Sequence, residues 1–501
     1  MAALGPLLLL IPGLVPAAAA DRAPEMMRRV TLGAAAGAAG LAVVVALGLV
    51  FGGAVPGAVV HLDAVSGTML LLVAGVGGVV VDYSRRYLDG DPGQGRFMKW
   101  LALTLAAVLV LVIAGNLILL AAAWIATSLG LHQLLVFYPD RPAAVLAARK
   151  KFVAARIADG CLVLAVLLAW RTFGSLSIPD VLAAARATAE PGFGVHAIAV
   201  LLAFAAMLKS AQFPAHGWLP EVMETPTPVS ALLHAGIINA GGFLLVRMGD
   251  VVALSAGALD FLLLVGAVTA VFGAAVMLTQ ASVKVNLAWS TVAQMGFMVM
   301  QVGLGAFAAA LLHIVAHSLY KAHAFLTAGG VAAGRRPDRL PPLPLRVLLP
   351  SLSAAVLLVL LAGMVLGLPA TQAPGPAVLG SVLAMALVPT LSTGVASRAG
   401  AFSAQAMAIV GAVALGYFAL QAGAAWLLGG AVPDHTVARS ALTPVICVVT
   451  VLAFATLLVL NVARRAMPPG PLLGALYVHL LNGFYVNTLA NRLLRRPEGV
   501  R

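Results

Sequence analysis

Charged residues are scarce in this sequence. Lysine, arginine, aspartate and glutamate make up 9% of the 501 residues, and 62% of the residues are hydrophobic. A soluble domain carries about a quarter charged residues. Apolar runs of about 20 residues, the length that crosses a bilayer, recur from end to end. The shortage of charge therefore excludes a soluble globular protein and predicts an all-α polytopic membrane protein with roughly 13 to 15 transmembrane helices.

Cysteine is almost absent too. Cys161 and Cys447 both lie in apolar segments, and two cysteines alone build no disulfide framework, zinc site or iron–sulfur site. The chain also has no phosphate-binding loop, nucleophile elbow, Rossmann glycine pattern or His-Glu-x-x-His motif. These absences predict a protein that is not an enzyme and that holds no cofactor and no metal.

Acidic residues are too few to balance the basic ones, since 17 face 30 and the net charge is +13. The excess is best explained by membrane topology, because Lys and Arg collect in short loops that stay in the cytoplasm. Nucleic-acid binding is not expected, because no soluble basic domain is present to carry it. We expect a multi-pass protein of the bacterial inner membrane. The basic clusters beside apolar runs are at 28–29, 85–86, 149–151, 335–339, 464–465 and 492–496.

The order of apolar runs suggests four regions: N-terminal membrane helices over 1–82, a core over 83–332, further membrane helices over 333–465, and a C-terminal segment over 466–501. The first apolar run resembles a signal peptide, but no basic residue precedes it, so we interpret it as a first membrane helix.

The C-terminal segment differs from the rest in its pattern. Apolar residues recur there at near-helical spacing with polar residues between them, which indicates an amphipathic helix at the membrane surface or against a partner. A final, partly buried helix with a basic tail is the alternative. The apolar positions are Tyr477, Leu480, Leu481, Phe484, Leu489 and Leu493.

The stretch MLKSAQFPAHGWLPEVMETPTPVSALLHAG, residues 207–236, interrupts the apolar pattern. Lys209 ends an apolar run, and Pro214 follows where a helix would continue, which breaks the helix. Broken membrane helices are tolerated where they line a cavity or face protein. The pattern predicts a discontinuous helix with Lys209 facing an internal hydrated space; a lysine reaching the surface from a helix end is the alternative.

Further polar residues lie at helical spacing inside apolar segments. His313, His317 and Lys321 follow each other every four residues and therefore share one helix face. His234 lies on the helix that follows the broken one. Imidazoles and an amine on one stripe can relay protons, because histidine titrates near neutrality and burial lowers the pKa of lysine. The alternatives are a hydrogen-bonded core face and, much less favoured, a metal site that lacks further ligands.

Three more ionisable residues border this set. Lys284 begins another apolar span and could extend the row of basic groups. Glu221 and Glu224 flank the proline-rich break. They are candidates for ion pairs at the mouth of a cavity, or for simple caps of a helix N-terminus.

These segments carry a family resemblance. The stretch 207–247, VKVNLAWSTVAQMGF and HIVAHSLYKAHAFL resemble the antiporter-like subunits: the proton-channel subunits of complex I, such as subunit L, and the large subunits of Mrp-type sodium/proton antiporters. The likeness spans about 82–330. It implies two inverted five-helix repeats with broken helices. It also implies a hydrated proton path through Lys209, His234, His313, His317 and Lys321.

Two departures separate the chain from complex I subunits. In those, the tryptophan matching Trp124 is followed by a glutamate that pairs with the broken-helix lysine, whereas this chain has Ile125. No lysine follows Lys321, so their distal exit lysine is missing. The short C-terminal region also suggests that their long lateral helix is absent.

A second branch of the family fits better. The stretch TSLGLHQLLVFYPDRPAAVLAARKKFVAARIAD and the C-terminal LYVHLLNGFYVNTLANRLLRR resemble the membrane subunit of the two-component inorganic carbon transporter, the DAB system. That likeness implies a large zinc-containing partner of the DabA type, similar to a β-type carbonic anhydrase, driven by H⁺ or Na⁺. A complex I or antiporter subunit is the alternative, and a non-conducting scaffold is a third hypothesis.

Overall fold

The computed structural model describes residues 1–331, 345–368, 374–396, 400–433, 437–466 and 470–494. The basic cluster at 335–339 and the predicted boundary between residues 332 and 333 lie outside this part. The described chain is helical throughout. Its α-helices are α1 Leu4–Gly13, α2 Ala17–Arg22, α3 Pro24–Gly52, α4 Ala64–Tyr87, α5 Gln94–Ile113, α6 Leu117–Leu135, α7 Pro142–Phe173, α8 Ile178–Arg186, α9 Phe193–Lys209, α10 Trp218–Glu221, α11 Thr227–Ala235, α12 Ala240–Arg247, α13 Gly249–Ala253, α14 Ala256–Met277, α15 Val283–Gly303, α16 Phe307–Val331, α17 Leu345–Val365, α18 Pro374–Ala396, α19 Gly400–Leu427, α20 Thr443–Ala466, α21 Pro471–Leu481 and α22 Val486–Leu494.

The all-helical membrane fold predicted from the sequence is confirmed. Eleven helical segments of the described chain, with α11 and α12 forming one of them, are long and apolar enough to cross a bilayer. Helices α15 and α16 reach spanning length as well, but both contain several polar side chains, which lower their mean hydropathy. Counting these two gives thirteen, the lower end of the predicted range.

The N-terminal run does not form the predicted first membrane helix. Two short helices, α1 of 10 residues and α2 of 6, replace it. Pro16 precedes α2 and has no amide hydrogen to continue α1, so the apolar run is divided. Neither piece approaches the roughly 20 residues that a span requires.

The predicted helix break after Lys209 is confirmed. Helix α9 ends at Lys209, the chain passes through Ala211 with a positive φ of 50°, and short helical turns resume at Ala215. The next segment is interrupted as well, because Gly236 has φ −126° and ψ −71° between α11 and α12. Every residue from 225 to 253 is buried. The second interruption is therefore surrounded by protein, where irregular backbone is tolerated.

The C-terminal segment is not one amphipathic helix. Gly483, Phe484 and Tyr485 all have positive φ, between 49° and 60°, and this turn separates α21 from α22. Two successive non-glycine residues in the left-handed region are costly, and they interrupt the helix.

An ion pair ties α4 to the end of α12. Arg247 donates from Nη1 to Asp63 Oδ2 at 2.6 Å and from Nη2 to Oδ1 at 2.9 Å. Asp63 also caps α4, accepting from the Ser66 amide at 2.8 Å. Burial by itself raises the pKa of Asp63, but the Arg247 charge and hydrogen bonds from His61, Arg247 and Ser66 hold it well below its usual range.

We predict that Arg247→Ala destabilises the protein, because it leaves the Asp63 carboxylate buried without its partner. Removing one member of a buried pair costs about 3–5 kcal/mol, so thermal unfolding in detergent should shift to clearly lower temperature. The matched control is Arg29→Ala, since Arg29 pairs with Glu25 on the exposed surface. Equal unfolding temperatures for the two variants would contradict the prediction.

The same carboxylate predicts a pH dependence. Because the folded-state pKa of Asp63 is lowered, its contribution is complete above the unfolded-state pKa, near 4. The contribution decreases as pH falls below that value. In Arg247→Ala burial is no longer opposed by the Arg247 charge, so the variant gains stability when acid protonates this carboxyl. The difference in unfolding temperature between wild type and Arg247→Ala should therefore be largest near pH 8 and narrow as pH falls.

Candidate functional site

Lys209 lies at the helix break with its side chain enclosed by protein. Its ammonium donates to the Trp124 carbonyl at 3.3 Å and lies 4.3 Å from the centre of the Trp124 ring. Both contacts suit a cation, because a carbonyl oxygen and an aromatic face present negative potential. The sequence-predicted position of Lys209, inside the protein at a break, is confirmed.

Asp159 on α7 is the acidic residue whose charge interacts with the Lys209 ammonium. The sequence analysis did not predict this residue. Its carboxylate interacts electrostatically with the Lys209 ammonium and pairs with Arg156 at 2.7 Å. Within the described residues, Lys209 makes no direct ion pair. The sequence did contain a signal for Asp159, because an acidic side chain inside an apolar helix is costly and usually marks a functional site.

Lys150 and Lys151 are buried in α7, contrary to their interpretation as part of a loop cluster. Lys151 donates to the Ser128 carbonyl at 2.6 Å and to its hydroxyl at 3.0 Å. A cavity of about 10 Å³ is lined by both Lys151 and Lys209, which is about the space that one water molecule needs. Lys150 points elsewhere and forms an ion pair with Glu221.

The two glutamates near the break behave differently. Glu221 forms the predicted ion pair, with Lys150 as its partner. The Glu224 side chain is exposed, and only its backbone carbonyl accepts a bond, from Arg141 at 2.6 Å. Neither carboxylate caps a helix N-terminus among the described helices. Glu221 is therefore half-buried in an ion pair, whereas Glu224 is exposed, and their place at the mouth of a cavity stays a prediction.

His234 on α11 belongs to the second cluster rather than to that of Lys209. Its Nδ1 lies 2.9 Å from the Thr291 hydroxyl, and its ring stacks on Phe325 with centres 4.4 Å apart. His317 lies close enough to interact with both His234 and Lys321. Helix α11 thus brings one imidazole to the histidine–lysine face of α16.

The predicted common face of His313, His317 and Lys321 is confirmed. The rings of His313 and His317 are 6.1 Å apart. Lys321 donates to the Leu287 carbonyl at 2.9 Å and to the Ser290 hydroxyl at 2.8 Å. The row therefore runs along α16 and is held by the polar side of α15.

Each end of this row has a polar neighbour on α15. His313 Nδ1 lies 3.0 Å from Gln301 Oε1 at one end. At the other end Lys284, which is partly exposed, donates to the Thr227 hydroxyl at 3.0 Å. Lys284 precedes Leu287, the residue that binds Lys321, by about one helical turn. Lys284 therefore lies, partly exposed, on the same helix that holds Lys321, and its part in the row stays a prediction.

Several buried polar atoms near these clusters have no hydrogen-bond partner in the described protein. Such atoms normally bind water, because an unsatisfied buried polar group is costly. No group of three or more His, Cys, Asp or Glu side chains in the described chain is arranged to hold a metal. The unpartnered atoms are Gln212 Oε1, His216 Nδ1 and Nε2, Ser230 Oγ, His234 Nε2, Asn239 Oδ1 and His317 Nε2.

Two family models match the chain. Residues 114–404 match the NADH:quinone oxidoreductase/Mrp antiporter transmembrane family. Residues 56–98 match the N-terminus of chain 5 of NADH-ubiquinone oxidoreductase (complex I). Among solved structures, the Mrp complex from Dietzia sp. DQ12-45-1b aligns with a TM-score of 0.58 and 27% identity, covering 99% of this chain and 57% of that chain.

Curated relatives narrow the relationship. The chain is 40% identical over 439 residues to the probable inorganic carbon transporter subunit DabB2 of Halothiobacillus neapolitanus, covering 86% of this chain and 79% of that protein. It is 48% identical over 271 residues to the probable subunit DabB of Hydrogenovibrio crunogenus, covering 54% of this chain and 52% of that protein. The chain therefore belongs to the NADH:quinone oxidoreductase/Mrp antiporter family of membrane subunits, in its branch of DabB inorganic carbon transporter subunits.

Proposed function

We propose that this chain conducts protons through the bilayer and thereby drives an inorganic carbon pump in the bacterial inner membrane. The observation that carries the proposal is the set of buried basic side chains in two clusters, around Lys209 and around Lys321, with unpartnered polar atoms beside them. Ionisable groups at this depth are costly and mark charge pathways. The predicted core over 83–332 contains both clusters.

Protons suit this path better than sodium ions. The buried groups of the two clusters are chiefly amines and imidazoles, which exchange protons, whereas hard cations bind several oxygen ligands. From the mouth, the path passes from Glu221 and Lys150 to Lys151 and then to Lys209. Water in the cavity between Lys151 and Lys209 would carry the proton over that step.

The second half of the path continues from α11 to α16. His234 and His317 exchange protons with Lys321, and His313 passes them toward Gln301 on α15. Asn239, on the turn after the Gly236 interruption, donates to the Ser318 hydroxyl at 2.8 Å. That bond joins the interrupted helix to the face of α16, so the two clusters share a structural connection.

Asp159 takes the place of the glutamate that this chain lacks at Ile125. A buried ammonium requires a counter-charge, and Asp159 acts on Lys209 from α7 rather than from α6. Protonation of Lys209 and its attraction to Asp159 would then alternate with pairing of Asp159 to Arg156.

The carbon chemistry would belong to a separate subunit. We propose a large zinc-containing partner of the DabA type that converts CO₂ to bicarbonate while protons move through this chain. Protonation of the path in this chain and the state of the partner's active site would be coupled, so that a change at one site alters the free energy of the other. The 40% identity to a DabB2 subunit over most of both chains supports this assignment.

The proposed pairing with a DabA-type partner predicts that the two subunits together rescue bacterial growth. Expressed together with a DabA-type partner, the chain should restore growth in air to a bacterium that lacks carbonic anhydrase. Uptake of labelled inorganic carbon should stop when a protonophore is added, and neither subunit should suffice alone. Failure of a correctly assembled pair to rescue, together with sodium-dependent proton flux, would favour the antiporter alternative.

Substitution of Lys209 tests the path itself. Lys209→Ala and Lys209→Arg should both reduce carbon uptake on the order of 10²-fold, the scale of a lost proton-transfer group. Arginine keeps the positive charge but does not release its proton. Lys209→Arg therefore shows whether the path needs proton transfer at this residue or only a positive charge. Co-purification of both subunits controls for assembly. Full uptake by Lys209→Arg would show that proton transfer at this residue is not required.

The role of Asp159 predicts a loss and a rescue. Asp159→Asn should lower uptake by about tenfold or more, because it removes the counter-charge of a buried ammonium. Asp82→Asn, at a partly exposed pair with Arg85, is the matched control. Adding Ile125→Glu to Asp159→Asn should restore part of the uptake, since it returns a carboxylate beside Trp124. An unchanged rate in Asp159→Asn would refute this role.

A further inference from the structure

Helix α22 is oriented with its polar side toward the protein and its apolar side outward. Asn487 and Asn491, one turn apart, face the protein, whereas Leu489 and Leu493 on the opposite side are 58% and 86% exposed. A surface helix normally buries its apolar face. The inward polar contacts of α22 are made by its two asparagines.

The two asparagines bind the ion pair at the mouth beside Lys209. Asn487 accepts from Lys150 Nζ at 2.6 Å and donates to Glu221 through its amide nitrogen. Asn491 donates to the same Glu221 oxygen at 3.0 Å. Because one amide contacts both charged groups, α22 closes over the Lys150–Glu221 pair.

The backbone under α22 permits this close approach. Gly217 lies against the Asn487 side chain, and a Cβ at that position would overlap it. Gly217 immediately precedes Trp218, which lines the small cavity with Lys151 and Lys209. The residue that touches Asn487 is thus followed directly in the chain by one that lines the Lys209 cavity.

The turn before α22 is a candidate hinge. Gly483, Phe484 and Tyr485 follow one another with positive φ, a conformation that side-chain-bearing residues adopt only under constraint. The turn is held on one side by ring contacts of Phe484 with Phe272 and His479, and on the other by the asparagine contacts of α22. Release of the two asparagines would allow this turn to relax and α22 to move away.

We propose that α22 is a gate over the proton inlet, with Asn487 and Asn491 as the positioning residues that hold it closed on the Lys150–Glu221 pair. The proposal rests on the proton path proposed above. The closed gate would keep the chain from leaking protons when the pump is idle. Opening exposes Lys150 and Glu221 to water and connects the cavity at Lys209 to solvent.

A thiol reporter in the cavity tests the gate without requiring proton flux. Ala155 lines the cavity with Lys151 and Lys209, so Ala155→Cys in a background of Cys161→Ala and Cys447→Ala gives one reactive position. The full chain in nanodiscs is treated with a water-soluble maleimide. Asn487→Ala with Asn491→Ala should raise the labelling rate at least about tenfold, the effect of losing one hydrogen bond to a charged group.

Two further variants sharpen the experiment. Asn491→Asp keeps the size of the side chain but faces Glu221 with a like charge, so it should also raise the labelling rate. Thr488→Ala lies on an exposed part of the same helix and should leave the rate unchanged. Equal labelling rates in wild type, the double variant and Asn491→Asp would overturn the gate.

Proton flux into liposomes, driven by a potassium diffusion potential, separates the gate from the proposed function. Flux that rises in the double variant and disappears on adding Lys209→Ala supports both. Faster labelling with no flux in any variant supports the gate and refutes proton conduction. Flux that is present but equal in wild type and double variant, with equal labelling, refutes the gate and leaves conduction standing.

Discussion

The burial of the Lys209 ammonium is the constraint on which the surrounding structure depends. Hydrocarbon offers no hydrogen bonds, so the charge must be stabilised entirely by protein and bound water. Three helices contribute: α6 supplies the Trp124 carbonyl and ring, α7 supplies Asp159, and α9 ends where Lys209 leaves it. The irregular backbone at 210–212 is tolerated for the same reason, because these three residues are buried in protein.

The buried helices α11 and α12 connect the cluster around Lys209 to the second cluster of polar groups, around Lys321. Helices α11 and α12 lie wholly inside the bundle, and their interruption at Gly236 frees backbone groups that a continuous helix would use. Asn239 compensates by donating to the Ala235 carbonyl at 3.2 Å, and it also donates to the Ser318 hydroxyl of α16. His234 reaches the same helix. The centre of the molecule is therefore polar and interrupted, although its outer helices are continuous and apolar.

The sequence was most informative where a residue type is costly at its position. Lys209, His234, His317 and Lys321 stand out because ionisable groups are rare in apolar helices, and the prolines around 214–228 mark the break. Asp159 and Lys151 were overlooked because neighbouring arginines made them resemble ordinary surface charge. Their roles depend on contacts between α6, α7 and α9, which one sequence does not contain. The turn at Phe484 and Tyr485 was missed because neither residue type favours positive φ.

Lys150 and Lys151 lie side by side on one helix but contact different partners. They are neighbours in α7, so their side chains leave it about 100° apart, one toward Glu221 at the surface and the other toward Ser128 inside. Both lysines lie in one uninterrupted helix of 32 residues. A tilt or rotation of this helix would therefore change the surroundings of both ammonium groups together. Such a movement would couple the outer and inner steps of the proposed path.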